Sequence, residues 1–196
     1  MDLTEGTQEE KQNRSKKMML WFGIGSLIMT FAGLISAFIV SRKREDWLLD
    51  FQLPNAFIVS VVLIVISSAT LIFAKRALKK NNMSQVTFGL LLTFALGVAF
   101  IYNQFAGFGQ IIESGYNFTG PTSNVTISFI YIIAVVHILH VVGGLIALIV
   151  VIYKHFKQRY NSTNMLGFEL ASNFWHFIDI LWVVLFLFLY FFRYII

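Results

Sequence analysis

The sequence predicts an all-α membrane protein with five transmembrane helices. Three observations carry that expectation: more apolar surface than a soluble fold of this length can hide, five long stretches nearly free of charge, and basic residues gathered into alternate connections. Of 196 residues, 57% are hydrophobic and 13% charged, and 21 are Phe. A helix crosses a bilayer with about 20 predominantly apolar residues. Five stretches satisfy this, over residues 18–40, 55–74, 84–105, 123–153 and 167–194. They are read as one membrane domain, 18–196, preceded by a polar cytoplasmic arm, 1–17. Because the first apolar stretch is long and lacks a small-residue cleavage site, a cleaved signal peptide is not expected.

Each element has local support. The arm mixes both charge signs and is expected to fray. In the first span, Gly33-x-x-x-Ala37 marks a candidate close approach of helices, as does Gly143-Gly144 in the fourth. Leu53-Pro54-Asn55 opens the second span, with Pro where its missing N–H costs nothing. Gly107, Gly109, Gly115, Gly120 and Pro121 make the stretch 107–123 the longest external connection, and its apolar start predicts a re-entrant or surface-lying segment. His155, between Lys154 and Lys157, reads as a solvated residue at the membrane edge. Trp21, Trp47, Trp175, Tyr190 and Tyr194 are candidate interface anchors, with Trp175 and Trp182 deep enough to pack between helices. Phe186, Phe188, Phe191 and Phe192 are expected to face lipid or a partner.

Orientation follows from Lys and Arg. The arm and the second and fourth connections carry Lys11, Arg14, Lys16, Lys17, Lys75, Arg76, Lys79, Lys80, Lys154, Lys157 and Arg159. The opposite side carries Arg42, Lys43, Arg44 and Arg193. Eleven against four places the N-terminus in the cytoplasm and the C-terminus outside. The net charge of +5 is therefore a topology signal with some attraction to anionic lipid. A nucleic-acid role would need a basic face on a soluble fold.

The chain has no Cys, which excludes disulfides, thiolate metal sites and covalent c-type haem attachment. Four His (His137, His140, His155, His176) cannot build a rich haem-and-copper site. Inside the last two spans, however, stand ionisable residues that hydrocarbon disfavours. His137 and His140 are three apart in the fourth. Glu169, Ser172/Asn173, His176 and Asp179 form a polar stripe in the fifth. Either they serve a metal site or a proton relay, or they are interhelical hydrogen bonds that fix packing. His140 lies twelve residues before Ile152 and Asp179 twelve after Gly167. Both therefore sit about 18 Å from the same boundary at ~1.5 Å per residue. A His140–Asp179 hydrogen bond, direct or through one water, is expected.

His137-Ile-Leu-His140-Val-Val-Gly143-Gly144, then Gly167-Phe-Glu169 with Trp175-His176-Phe-x-Asp179-x-x-Trp182, resemble in order the H-x-L-H-V-x-x-G and G-F-E … W-H-F-x-D-x-x-W stretches of subunit III of the haem-copper terminal oxidases. Leu96-Gly97-Val98 with Gln104 is similar to the family's L-G-V … Q, and Pro54 with Ser60 is a looser match. The likeness runs from about Met18 to the C-terminus. It implies a noncatalytic subunit of an aerobic oxidase, in the shorter five-span form found in bacterial cytoplasmic (inner) membranes. Such a subunit carries no redox cofactor. Haem and copper belong to the catalytic subunit I, its partner together with subunit II. It also implies bound structural phospholipids and a part in sustaining proton uptake and turnover stability. Two family carboxylates are absent, with Leu27 and Gly107 at the matching positions. What remains is His137, His140, Glu169, His176 and Asp179. The electron donor, cytochrome c or quinol, and membership of a larger respiratory supercomplex stay open. Competing expectations are a nitric-oxide reductase-associated protein, a small transporter, which would show inverted repeats or broken helices, and a metal-dependent membrane enzyme.

Overall fold

The computed structural model describes residues 7–48, 52–120, 123–161 and 165–192. They form five long α-helices: α1 (Gln8–Val40), α2 (Asn55–Lys79), α3 (Met83–Glu113), α4 (Val125–Phe156) and α5 (Leu166–Phe192), with a 3-10 turn at Ser41–Lys43. All five are long and apolar enough to cross a membrane.

The caps explain where the helices begin and end. Thr7 and Glu10 form a reciprocal capping box that starts α1. The helix thus includes most of the arm expected to fray; residues 1–6 lie outside the described residues. At the α2–α3 turn two residues do two jobs. Asn81 takes a left-handed φ of 54° and closes α2, with Asn82 N–H donating to Ala77 O at 3.0 Å. The side chain of Asn82 then accepts from Gln85 N–H and opens α3. Asn suits both positions because its short side chain tolerates the left-handed region and competes for backbone N–H groups. Gly115, with φ 87°, closes α3 in the same way. The third helix therefore runs eight residues beyond its expected end, and the stretch from Gly107 is neither re-entrant nor surface-lying at its start. Gly107 is helical and its bare Cα faces Phe57, whose ring would be 3.0 Å from an added Cβ. Pro121, Arg193 and Tyr194 lie outside the described residues.

Neighbour contacts define a closed ring of four helices, α2–α3–α4–α5, with α5 returning to α2. α1 lies outside it against α4 and α5. Its buried residues, Ile24, Phe31 and Phe38, recur every seven positions, so α1 offers one narrow seam. Phe38 carries the far end of that seam, packing on Trp47 at 4.8 Å and on Phe188 and Phe192 of α5. Those two Phe therefore serve contacts within the chain, while Phe191 is half exposed. The first connection is pinned by Leu48 N–H donating to Thr126 Oγ1 at 3.0 Å.

Lys75 meets Glu169, and Thr87 meets His155, so the end of α2, start of α3, end of α4 and start of α5 share one end of the bundle. That end gathers the basic residues of the second and fourth connections. His155 is not a solvated edge residue. It is 3% exposed and shares a 2.8 Å hydrogen bond with Thr87 Oγ1 on α3, because the last turn of α4 is still packed against the ring.

Small residues set the closest approaches. An added Cβ would stand 2.8 Å from Ala74 at Gly89, 2.7 Å from Trp175 at Gly97 and 2.8 Å from Ile178 at Gly144. Gly33 and Gly143 meet nothing within 4 Å. Gly144, not Gly143 or Gly33, is the contact point among those expected, since only its Cα points into the ring.

Candidate functional site

The polar stripe of α5 faces α2. At the basic end Glu169 lies 3.9 Å from Lys75. Two turns along, His176 Nδ1 and Ser68 Oγ share a 2.6 Å hydrogen bond. Lys75 and Ser68 are seven residues apart, as are Glu169 and His176, so antiparallel helices in register bring both pairs together. Trp175 Nε1–H donates to Ser67 Oγ at 3.1 Å, and Ser67 donates in turn to Ile64 O at 2.8 Å. Asp179 is 3% exposed and neither carboxylate oxygen has a hydrogen-bond partner among the described residues. Ser67 and Ser68 of α2 are engaged with Ile64, Trp175 and His176 and close no bond to it.

No direct hydrogen bond joins His140 to Asp179. His140 Nδ1 donates to Val136 O on its own helix at 2.6 Å, and its ring stands edge-on to Phe31 of α1 at 5.7 Å. Equal depth placed the two residues at one height, but height leaves open which side of the helix each occupies. Three residues rotate a helix by about 300°, enough to turn His140 toward α1 while His137 points into the ring.

Inside the ring are two layers, each centred on a Trp of α5 and each touching all four helices. Trp175 fills the gap left by Gly97 of α3 and Gly144 of α4 and is bonded to Ser67 of α2. Trp182, two turns on, lies between Phe57 of α2 and His137 of α4. Its centroid is 5.9 and 4.8 Å from theirs, nearly parallel to both, with Phe100 of α3 edge-on at 5.4 Å. His137 is fully buried and neither ring nitrogen has a partner among the described residues. Stacked as it is, it fills the layer as an aromatic ring does.

Further polar groups line the α2–α3 contact, and Thr70, Thr93 and Asn103 among them were not singled out in the sequence. Thr70 and Thr93 share a 2.8 Å hydrogen bond between α2 and α3. Asn103 Nδ2 donates to Ser60 Oγ at 2.9 Å on the same pair of helices. Gln104 is buried without a partner among the described residues. The signal for α2 was present: Ser60, Ser67, Ser68 and Thr70 interrupt an otherwise apolar span, two of them seven apart. Among the described residues, no three His, Cys, Asp or Glu lie close enough to hold a metal ion. Chemically, the arrangement stitches α5 to α2 and fills the ring axis.

Comparison with known proteins extends this likeness. A sequence model described as cytochrome c oxidase subunit III matches residues 46–194. The chain is 30% identical over 188 residues to the cytochrome bo(3) ubiquinol oxidase subunit 3 of Buchnera aphidicola subsp. Schizaphis graminum, covering 93% of this chain and 96% of that protein. It is 31% identical over 144 residues to the cytochrome c oxidase subunit 3 of Spodoptera frugiperda, covering 71% and 89%. It is 29% identical over 178 residues to that of Alkalihalophilus pseudofirmus, covering 89% and 85%.

Proposed function

Because the chain belongs to the cytochrome c oxidase subunit III family, a family of noncatalytic, multi-pass membrane subunits, we propose that it is the accessory subunit of an aerobic, proton-pumping haem-copper oxidase of a bacterial cytoplasmic membrane. In this reading it forms one membrane domain, 18–196, packs against the haem-copper subunit I with subunit II nearby, holds phospholipid, and sustains proton uptake and turnover. One observation carries the reading: the family match spans both motif-bearing helices, and there Glu169, Trp175 and His176 are engaged with α2. His137, His140 and Asp179 are the remaining ionisable residues of the same two helices, His137 serving as a packed ring and Asp179 as a buried carboxylate beside α2. Relatives on both sides of the donor divide are found, named for ubiquinol and for cytochrome c oxidases, so both donors belong in the assay.

The N-terminus faces the cytoplasm, supported by the eleven basic residues assigned to that side. A chain without Cys allows a clean check, since Ser15→Cys and Ser114→Cys, each made alone, report opposite sides to a membrane-impermeant thiol reagent.

Purifying the chain from native membrane in mild detergent tests the assembly. A companion with haem and copper absorbance, consuming oxygen with quinol or reduced cytochrome c, is the expected result. A chain that elutes alone and turns over a substrate unaided overturns the reading. His176→Leu removes the α2 bond, and Asp179→Leu removes the buried carboxylate. Both are expected to weaken assembly or shorten sustained turnover while the haem spectrum persists. Loss of all haem from an assembled complex contradicts the accessory role.

A further inference from the structure

The side of α5 turned away from the ring keeps two hydrogen-bonding groups that no described residue uses. At about 100° per residue, measured from Trp175 on the ring side, His176 is turned by about 100° and Asn173 by about 160°. His176 therefore stands half-buried on the flank toward α2, while Asn173 points out of the bundle and is exposed. Ile180, Val184, Leu187 and Phe191 fall in the same outward sector, all of them exposed, Ile180 the most at 63%. Together they make one strip along the outside of the α2–α5 seam, polar at the end nearer the basic connections and apolar beyond it.

Depth sets these two groups apart. Counted from Gly167 at ~1.5 Å per residue, Asn173 lies about 9 Å and His176 about 14 Å inside the boundary. Glu169, paired with Lys75, is one turn nearer the boundary, where headgroups and water reach it. His176 Nδ1 is occupied by Ser68 Oγ at 2.6 Å, and Nε2, on the other side of the ring, reaches the surface. Neither Nε2 nor the Asn173 carboxamide has a hydrogen-bond partner among the described residues. Acyl chains offer no donor and no acceptor, so a polar group at this depth is unsatisfied when it faces them. Polar residues inside a span face protein for that reason.

We propose that the outer face of the α2–α5 seam, centred on Asn173 and Ile180, is where a transmembrane helix of the haem-copper companion docks, and that this helix carries a hydrogen-bonding side chain (Ser, Thr, Asn, Gln or His) level with Asn173 and His176. The inference rests on the accessory-subunit reading and names the face and the chemistry of its contact. A carboxamide both donates and accepts, so Asn173 can bond any of these side chains. His176 Nε2 adds a second bonding atom one turn on, and the two together fix the depth of the incoming helix. The apolar run from Ile180 to Phe191 gives that helix its van der Waals contact. A lipid chain would cover the run equally well but would leave both polar groups unbonded, which favours a polypeptide. The accessory role already requires a companion, so no second copy of the chain is needed to supply the bond.

The test uses the complex purified from native membrane, with photoreactive p-benzoylphenylalanine in place of Ile180, Val184 or Leu139, one at a time. Leu139, 64% exposed, is on the side of α4 turned away from the ring. Illumination should join positions 180 and 184 to the companion and position 139 to lipid. A companion that co-purifies but is reached only from position 139 overturns the surface and leaves the accessory role standing. Cross-links from position 180 to a second copy of the chain, or to lipid alone, do the same. A chain that brings no companion overturns both. Asn173→Leu, more apolar and so no harder to insert, tests the hydrogen bond. One such bond between membrane helices is worth roughly threefold in association, so retention of the companion on dilution in mild detergent should fall by about threefold. Asn173→Gln, which keeps the carboxamide, should recover most of it. Thr30→Val on α1 removes an exposed hydroxyl already bonded to Ser26 O and should change nothing. Retention unchanged in Asn173→Leu, or lost equally in Thr30→Val, overturns the polar contact.

Discussion

The two Trp layers of the ring make the same four-helix contact by opposite means. Trp175 is held by absence and by a bond: two glycines leave room for the indole, and Ser67 accepts its N–H. Trp182 is held by presence: Phe57, His137 and Phe100 supply rings around it, and its N–H has no partner among the described residues. Clearance at the first layer is nil, since an added Cβ at Gly97 would be 2.7 Å from Trp175. The second layer instead carries buried polar atoms that have no hydrogen-bond partner among the described residues: both nitrogens of His137, the Trp182 N–H and, one turn from Phe100 on α3, the amide of Gln104. Two residues of one type, on one face of one helix, thus divide the labour. One is seated in a gap that two glycines leave and is bonded to α2, while the other is packed among rings from three helices.

Truncation gives the largest expected effects. Trp175→Ala and Trp182→Ala each remove a large buried ring and should cost about 3–5 kcal/mol, the range for Phe or Trp to Ala in cores. Unfolding of the purified chain in mixed micelles, followed by helical circular dichroism, measures both. A much smaller cost at Trp182 would show that its layer collapses onto the gap. Gly97→Ala comes next, at about 1–3 kcal/mol for overpacking, because the atom it meets belongs to a rigid ring whose other edge is fixed by Ser67. Gly143→Ala, one residue from the contact glycine of α4 and open on its own side, is the control and should be within the ordinary spread of a surface change. Equal costs at Gly97 and Gly143 would refute the tight layer.

Sequence periodicity made the helices legible but not their pairing. Five spans could be counted because hydrocarbon demands long apolar runs, and the deep placement of Trp175 and Trp182 followed from their distance along α5. The stripe Glu169, His176, Asp179 was visible as one face. Its partner was not, since a helical face has a direction only relative to neighbours, and α2 advertised itself only through small hydroxyls. His140 was matched to Asp179 by depth, a coordinate that two antiparallel helices share whether or not their faces meet. Glycine misled in both directions. Gly107 suggested a loop but lets Phe57 reach α3, and Gly33 suggested a contact but is open. The capping box at Thr7 and Glu10 was passed over in an arm expected to fray, and it extends α1 through that arm.

A gentler pair of substitutions separates the bonded layer from the stacked one. Trp175→Phe keeps a ring but deletes the donor to Ser67, whereas Trp182→Phe deletes a donor with no partner among the described residues. A net hydrogen bond contributes about 1 kcal/mol, so Trp175→Phe should be the costlier by about that amount. The reverse order would mean that the Trp182 N–H is bonded in the assembled protein.

His137→Phe is the smallest and sharpest change. It keeps a ring between Trp182, Phe100 and Phe31 and removes two nitrogens that have no partner among the described residues. Replacing unpaired buried polar atoms by an apolar group of similar shape is close to neutral or stabilising, against which the larger ring adds a modest overpacking cost. Stability within about 1 kcal/mol of the unaltered chain is therefore expected, with the two terms opposed. Measured beside it, His176→Phe should be clearly worse, because it strands Ser68 in the α2–α5 seam. If His137→Phe proves the more damaging of the two, the stacked layer is not an aromatic filler, and the imidazole nitrogens have a task that Trp182 and its neighbours do not reveal.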